Sequence, residues 1–213
     1  MSDKKKQEVE AEVSQTFSYL NEELNINNEK GRLRSLSFDC IYGTDANPRM
    51  ARTAKMNMIM HGDGHGGVHH HDGLLNVNGI FENRFDVILT NPPFGARVEK
   101  DLKISEADKF TDEAKIEEYK VRYGKEEYER ALSQVNDNVG KSLLSLYKID
   151  SSLTEVLFIE RCLNLLKPGG RMGIVLPEGV LNNTNLQKAR DFVEGKAKIL
   201  LIVSIPQDVF IAS

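Results

Sequence analysis

Apolar residues recur along the chain in two periods, and the switches between them mark alternating helices and strands. Near the start, Val9, Val13, Phe17, Leu20 and Leu24 fall three or four residues apart, one stripe of a helix over about residues 5–25. Residues 38–43 form a short apolar run ending at Gly43-Thr44-Asp45, which predicts a buried strand leading into a functional turn. Asn47 is placed to cap a second helix, with Pro48 in its first turn and Met50, Ala51, Ala54, Met58 and Ile59 on its apolar face. Residues 61–73 hold too many glycines for regular structure and predict a loop. Residues 85–90, Phe-Asp-Val-Ile-Leu-Thr, read as the clearest buried strand, stopped by Pro92 and Pro93, which cannot donate to a sheet ladder. Over 97–149 the periodicity weakens, with helical patches near 113–123 and 126–135, and the stretch reads as a helical or mobile insertion. A helix over 154–166, a strand over 171–176, a helix near 186–194 and a strand over 199–205 complete the order. Strands alternating with helices predict an α/β fold, a parallel sheet with helices on its faces.

Composition narrows this picture. At 213 residues and 40% hydrophobic, the chain can bury one sizeable core, and one domain is expected. No run approaches the roughly 18 apolar residues of a membrane span, and residues 1–12 carry no apolar signal core, so a cytoplasmic protein is expected. Cys40 and Cys162 lie far apart, suggest neither a disulfide nor a metal pair, and are expected to be buried thiols. A net charge of −4 argues against a free-standing, high-affinity duplex binder, so a DNA substrate would be held largely by a partner. Histidines at 61, 65, 69, 70 and 71 raise the question of a metal. No cysteine is near and the glycines between them would not preorganise a tetrahedral site, so no metal is expected. Met50, Met56, Met58 and Met60 read as core packing, and the charged stretch 99–129 as a solvated face.

Open parallel sheets bind ligands beyond the carboxyl ends of their strands, which puts Asp45 and residues 91–94 on one expected rim. Asn91-Pro92-Pro93-Phe94 is the most specific signal in the chain. An exocyclic amine on a ring is a poor nucleophile because its lone pair is delocalised. Two acceptors, the Asn91 side-chain oxygen and the Pro92 carbonyl, could bind its two hydrogens and favour a pyramidal nitrogen. The two prolines would fix that backbone, and Phe94 offers a ring face for an extruded base. On pattern alone the tetrapeptide could be an ordinary strand-to-turn boundary, and Asp45 a helix cap.

The chain resembles the modification subunit of type I restriction-modification systems, a family of adenine-N6 DNA methyltransferases. The likeness rests on Ile41-Tyr-Gly-Thr-Asp-Ala-Asn-Pro48, Ala54-Lys-Met-Asn-Met-Ile-Met-His-Gly62, His71-Asp-Gly-Leu-Leu75, residues 85–95 and residues 163–177. It implies a Rossmann-like fold and S-adenosyl-L-methionine as cofactor, with a specificity subunit that reads the DNA and optionally a restriction subunit as partners. By the same resemblance Asp45 would accept hydrogen bonds from the cofactor ribose, and Asp72 would lie near its adenine amino group. Asn91, Pro92, Pro93 and Phe94 would bind the target base, and Pro177 and Glu178 would share their rim. The family's glycine-rich loop, of the type Asp-Pro-x-Cys-Gly-Thr-Gly on a central first strand, has no match in residues 1–40, and Ser213 falls where the family's domain continues. The expectation is a partial catalytic domain, weakly active or inactive alone. Two other readings remain open: a methyltransferase acting on protein glutamine or RNA guanine, and a noncatalytic piece that only assembles with partners.

Overall fold

Helix α1 (Asp3–Glu23) forms where the apolar period places it, but its stripe faces solvent, with Phe17 64% exposed. This is the first element of a computed structural model that describes residues 3–25, 27–28, 30–62, 67–206 and 209. The chain divides into two compact units, Met1–Ile80 with Asp112–Tyr128, and Phe81–Thr111 with Glu129–Ser213.

In the first unit, α2 (Arg32–Ser35) runs into a π-helical turn, Leu36–Cys40, so the strand expected over 38–43 is shortened to β1 (Gly43–Asp45). An ion pair between Asp39 and Arg122 links that turn to α4 (Glu113–Tyr123). Cys40 in the same turn is exposed rather than buried. Helix α3 (Pro48–Met60) begins as its sequence dictates. The Asn47 side chain accepts from the amides of Arg49 and Met50, and Pro48 occupies the first turn, where its missing N–H costs nothing. Met50, Met56 and Met60 lie on its solvent side, not in a core, because this helix buries only the narrow Ala51 face. Part of the expected loop, β2 (Val68–His70), pairs in parallel with β1. The pairing is possible because residue 67 is glycine: a Cβ there would overlap the Ile41 carbonyl oxygen. Of the same loop, residues 63–66, including His65, lie outside the described residues. Leu74, Leu75, Val77, Ile80 and Tyr128 are buried in this unit, and Gly79 fits against the Tyr42 and Tyr123 rings.

In the second unit, β3 (Phe85–Thr90) has the predicted bounds and pairs in parallel with β4 (Leu166–Ile174). Strand β4 starts earlier than expected. Lys167-Pro-Gly-Gly170 loops out within it opposite Asp86, helped by Gly169 at φ +82, and Lys167 Nζ lies 3.1 Å from Asp86 Oδ1. Strand β3 is not buried: Leu89 is 80% exposed. Residues 199–205 form no strand. The single sheet expected from the strand-helix alternation is, among the described residues, two separate two-stranded sheets. Apolar sequence favours a strand, but only a neighbour to pair with makes one.

Helix α5 (Lys125–Asn136) starts in the first unit and continues into the second, where Leu132 and Val135 are buried along with Ile104 and Leu143. Helix α6 (Thr154–Leu165) is the most buried element, and its Val156 packs with Ile149 and with Ala189 of α8 (Gln187–Lys196). Each such burial of Val, Leu or Ile contributes about 1.5–3 kcal/mol relative to exposure. Burial also pushes the Cys162 thiol up to about 11. Between β4 and α8 stands the one-turn α7 (Gly179–Asn182). No helix among the described residues is long and apolar enough to cross a membrane.

Candidate functional site

Because β1 and β2 are parallel, with Asp45 opposite His70, both strands run out at the same end. There the His71 amide donates to the Asp45 carbonyl at 3.2 Å, which brings Asp72 to the rim beside Asp45. Asp45 Oδ1 accepts the Asn47 amide at 2.7 Å, so the helix cap is Asn47 and Asp45 sits one step before it. Asp72 Oδ1 accepts the Leu74 amide at 2.9 Å. Both carboxylates are half-buried. Each has one oxygen fixed by a local amide, and the other makes no hydrogen bond to the described residues, leaving two oriented acceptors for hydroxyl or amino donors.

The histidines behind this rim act as framework. His70 Nε2 lies 3.1 Å from the Ala46 carbonyl, and His69 Nδ1 lies 3.0 Å from Asn78 Nδ2. Burial first, then the positive charges of Lys55, His71 and Lys115, pushes the His69 pKa down to about 4. His69 is therefore neutral at pH 7 and its Nδ1 can accept from the Asn78 amide. The unfolded chain takes up this proton near pH 6.5 and the folded chain only near 4, so stability falls as pH drops through that window. His69→Gln, which cannot be protonated, is expected to melt with a smaller loss between pH 7 and pH 4.5 than the wild type. An equal loss in a thermal scan would refute this. Among the described residues no group of three or more His, Cys, Asp or Glu side chains is placed to hold a metal ion.

The second unit has its own rim. Thr90 lies opposite Ile174 and its carbonyl accepts the Val175 amide, so residues 91–94 and Pro177-Glu178 emerge at the same carboxyl end. Pro92 is buried and anchors the turn, whereas Asn91, Pro93 and Phe94 are exposed. Neither the Asn91 side chain nor the Pro92 carbonyl makes a hydrogen bond to the described residues, so both acceptors are unspent, and Asn91 is exposed. Gly95 follows at φ +69, a left-handed conformation that suits glycine. The chain then runs against the start of α6: Thr154 N donates to Ala96 O at 3.0 Å and Val98 N to Ser152 O at 2.8 Å. Glu155 Oε1 accepts the Gly95 amide at 3.4 Å.

Sequence reasoning put Asp45 and residues 91–94 on one rim of one sheet; the structure instead brings Asp72 beside Asp45 at the end of one strand pair, and Pro177 and Glu178 beside residues 91–94 at the end of the other. The first pair lies in one unit and the second group in the other. Reasoning from sequence missed Glu155, which is 4% exposed. The available signal was an acidic residue in the first turn of a helix otherwise apolar at that point, followed by Val156 and Leu157.

The family profile for N-6 DNA methylase matches residues 14–124 and 123–213. No curated protein matches the chain. Among solved structures, a modification subunit described for a type I restriction enzyme of Vibrio vulnificus YJ016 is similar at 20% identity and a TM-score of 0.48. The likeness covers 76% of this chain and 27% of that one, so the chain spans about a quarter of that protein's length. With nearly its whole length matched by one family, this chain belongs to the N-6 DNA methylases.

Proposed function

We propose that this chain transfers a methyl group from S-adenosyl-L-methionine to the N6 amino group of adenine in DNA, as the modification subunit of a type I restriction-modification complex. The observation that carries the reading is the Asn91-Pro92-Pro93-Phe94 turn. It stands at the carboxyl end of a parallel strand pair, with its two acceptors unspent, in a chain of the N-6 DNA methylase family.

Asn91 Oδ1 and the Pro92 carbonyl would each accept one N6 hydrogen, drawing the lone pair out of the ring and aiming it at the methyl donor. Buried Pro92 fixes those acceptors in advance, so little reorganisation remains at the moment of transfer. The exposed ring of Phe94 would stack on the extruded base, worth about 1–3 kcal/mol against an unstacking cost of a few. The cofactor, when bound, supplies an electrophilic methyl group. Asp45 and Asp72 fit its ribose hydroxyls and adenine amino group, since both are donors and each carboxylate keeps one oriented oxygen open. The net charge of −4 supports a division of labour in which a specificity subunit supplies most of the DNA grip, and a restriction subunit can join the same complex.

The test is methyl transfer from labelled cofactor to unmethylated bacterial DNA, with this chain and a specificity subunit, followed by nucleoside analysis. Label in N6-methyladenine supports the reading. Label in protein glutamine or RNA guanine instead would move the chain to another amide or amine substrate. Stable co-assembly with no label anywhere would assign it a noncatalytic role. Asp45→Ala is expected to weaken cofactor affinity about 10–100-fold, the worth of hydrogen bonds to a charged acceptor. Titration calorimetry giving unchanged affinity would remove Asp45 from the site.

A further inference from the structure

We propose that Glu155 is a positioning residue for the turn at residues 91–94: its carboxylate holds the Gly95 amide, and through it the backbone that presents Asn91 and Pro92. The inference rests on the reading of that turn as the target-base site.

Glu155 is the second residue of α6 and is buried between the helix and the turn, whereas the other acidic residues of this rim, such as Glu178, are exposed. Its Oε1 meets Gly95 N at 3.4 Å, and its Oε2 is buried with no hydrogen-bond partner among the described residues. Leaving a buried acceptor unpaired costs about 1–3 kcal/mol, more when charged. An apolar side chain at residue 155 would avoid that cost, so what the carboxylate contributes is the bond made by its other oxygen. The N-terminus of a twelve-residue helix favours negative charge at this place. Gly95 is the residue directly after Phe94, and its left-handed φ turns the chain from the tetrapeptide toward α6. The Thr154–Ala96 and Val98–Ser152 bonds fix the chain beyond Gly95, and the Glu155 carboxylate holds Gly95 itself, directly after the tetrapeptide. A contact of 3.4 Å is long, as hydrogen bonds around catalytic groups commonly are before ligand tightens them.

The test compares Glu155→Ala, Glu155→Asp and Glu155→Gln. Gln keeps an oxygen at the reach of Oε1 without the charge, and Asp keeps the charge but falls one methylene short. Two readouts are taken: amide hydrogen exchange of the isolated chain at residues 94–96, and kcat for methyl transfer in the complex with a specificity subunit. Expected are faster exchange at 94–96 in the Ala and Asp variants with residues 157–165 unchanged, a kcat loss of about 100-fold from misplacing the turn, and recovery of both in the Gln variant. Unchanged exchange at 94–96 in both Ala and Asp variants would overturn the proposal, as would recovery by Asp in place of Gln. If Ala unfolds the chain, the Asp and Gln variants still decide. An Asn91→Ala control separates the two readings. If it remains active, the base-site reading fails on its own, while the exchange data still report whether Glu155 holds the turn.

Discussion

Asn91→Ala is expected to lower methyl transfer to adenine by about 10²–10³-fold, the loss typical of removing one preorganised polar group from a transition state. The Asn91 side chain is exposed and makes no hydrogen bond to the described residues, so the substitution removes no contact that the fold depends on. Its effect should therefore fall on kcat, with the melting temperature unchanged. The remaining acceptor, the Pro92 carbonyl, belongs to the backbone and survives every side-chain change. A residual rate above background is expected for that reason. Asn91→Asp keeps an oxygen at the same place but adds a charge and a proton equilibrium, and it should recover only part of the rate. The measurement is single-turnover methyl transfer on unmethylated DNA beside a thermal scan. Activity within threefold of wild type would exclude an acceptor role for Asn91.

Glu160→Ala should produce the largest loss of stability, about 3 kcal/mol, equivalent to a fall of roughly 6–12 °C in Tm. Glu160 is 1% exposed, and its two oxygens accept the Lys148 amide at 2.9 and 3.0 Å and the Ile149 amide at 2.8 Å. Truncation leaves the buried Ile149 amide without an acceptor, which costs more than the bond itself contributes. Ile149 is also a member of the cluster with Val156 and Ala189, so release of its amide loosens the contact between α6 and α8. Glu160→Gln should cost less, because its amide oxygen in the place of Oε2 can still accept both amides, while its NH2 group faces only the Lys148 donor. Denaturant titration giving a loss below about 1 kcal/mol for Glu160→Ala would mean that water replaces the carboxylate.

The sequence was most legible where local chemistry alone decides the outcome. Asn47 and Pro48 start α3 because capping depends only on neighbours, and Pro92 and Pro93 end β3 because no context restores an absent N–H. The helices over 113–123 and 154–165 were readable from their period for the same reason. Legibility failed where a partner decides. Residues 38–43 and 199–205 have strand composition, yet residues 36–40 coil into a π-helical turn and the later stretch pairs with no strand among the described residues. Burial of β3 was misjudged because Val87 and Leu89 are apolar whether or not anything covers them. Within the candidate site, residues 91–94 announced themselves by type. Glu155 did not, since one glutamate in a first helical turn is the commonest of solvated residues, and only its depth beneath Gly95 distinguishes it.

The contrast between the two cysteines has a practical side. Cys40 lies at the surface, at the end of the π-helical turn, while Cys162 is enclosed in α6 with its thiol held protonated at neutral pH. Thiolate, not thiol, reacts with maleimides and iodoacetamides. The protein as it stands therefore offers those reagents a single address, and a dye or spin label can be attached there without first engineering a thiol in or out.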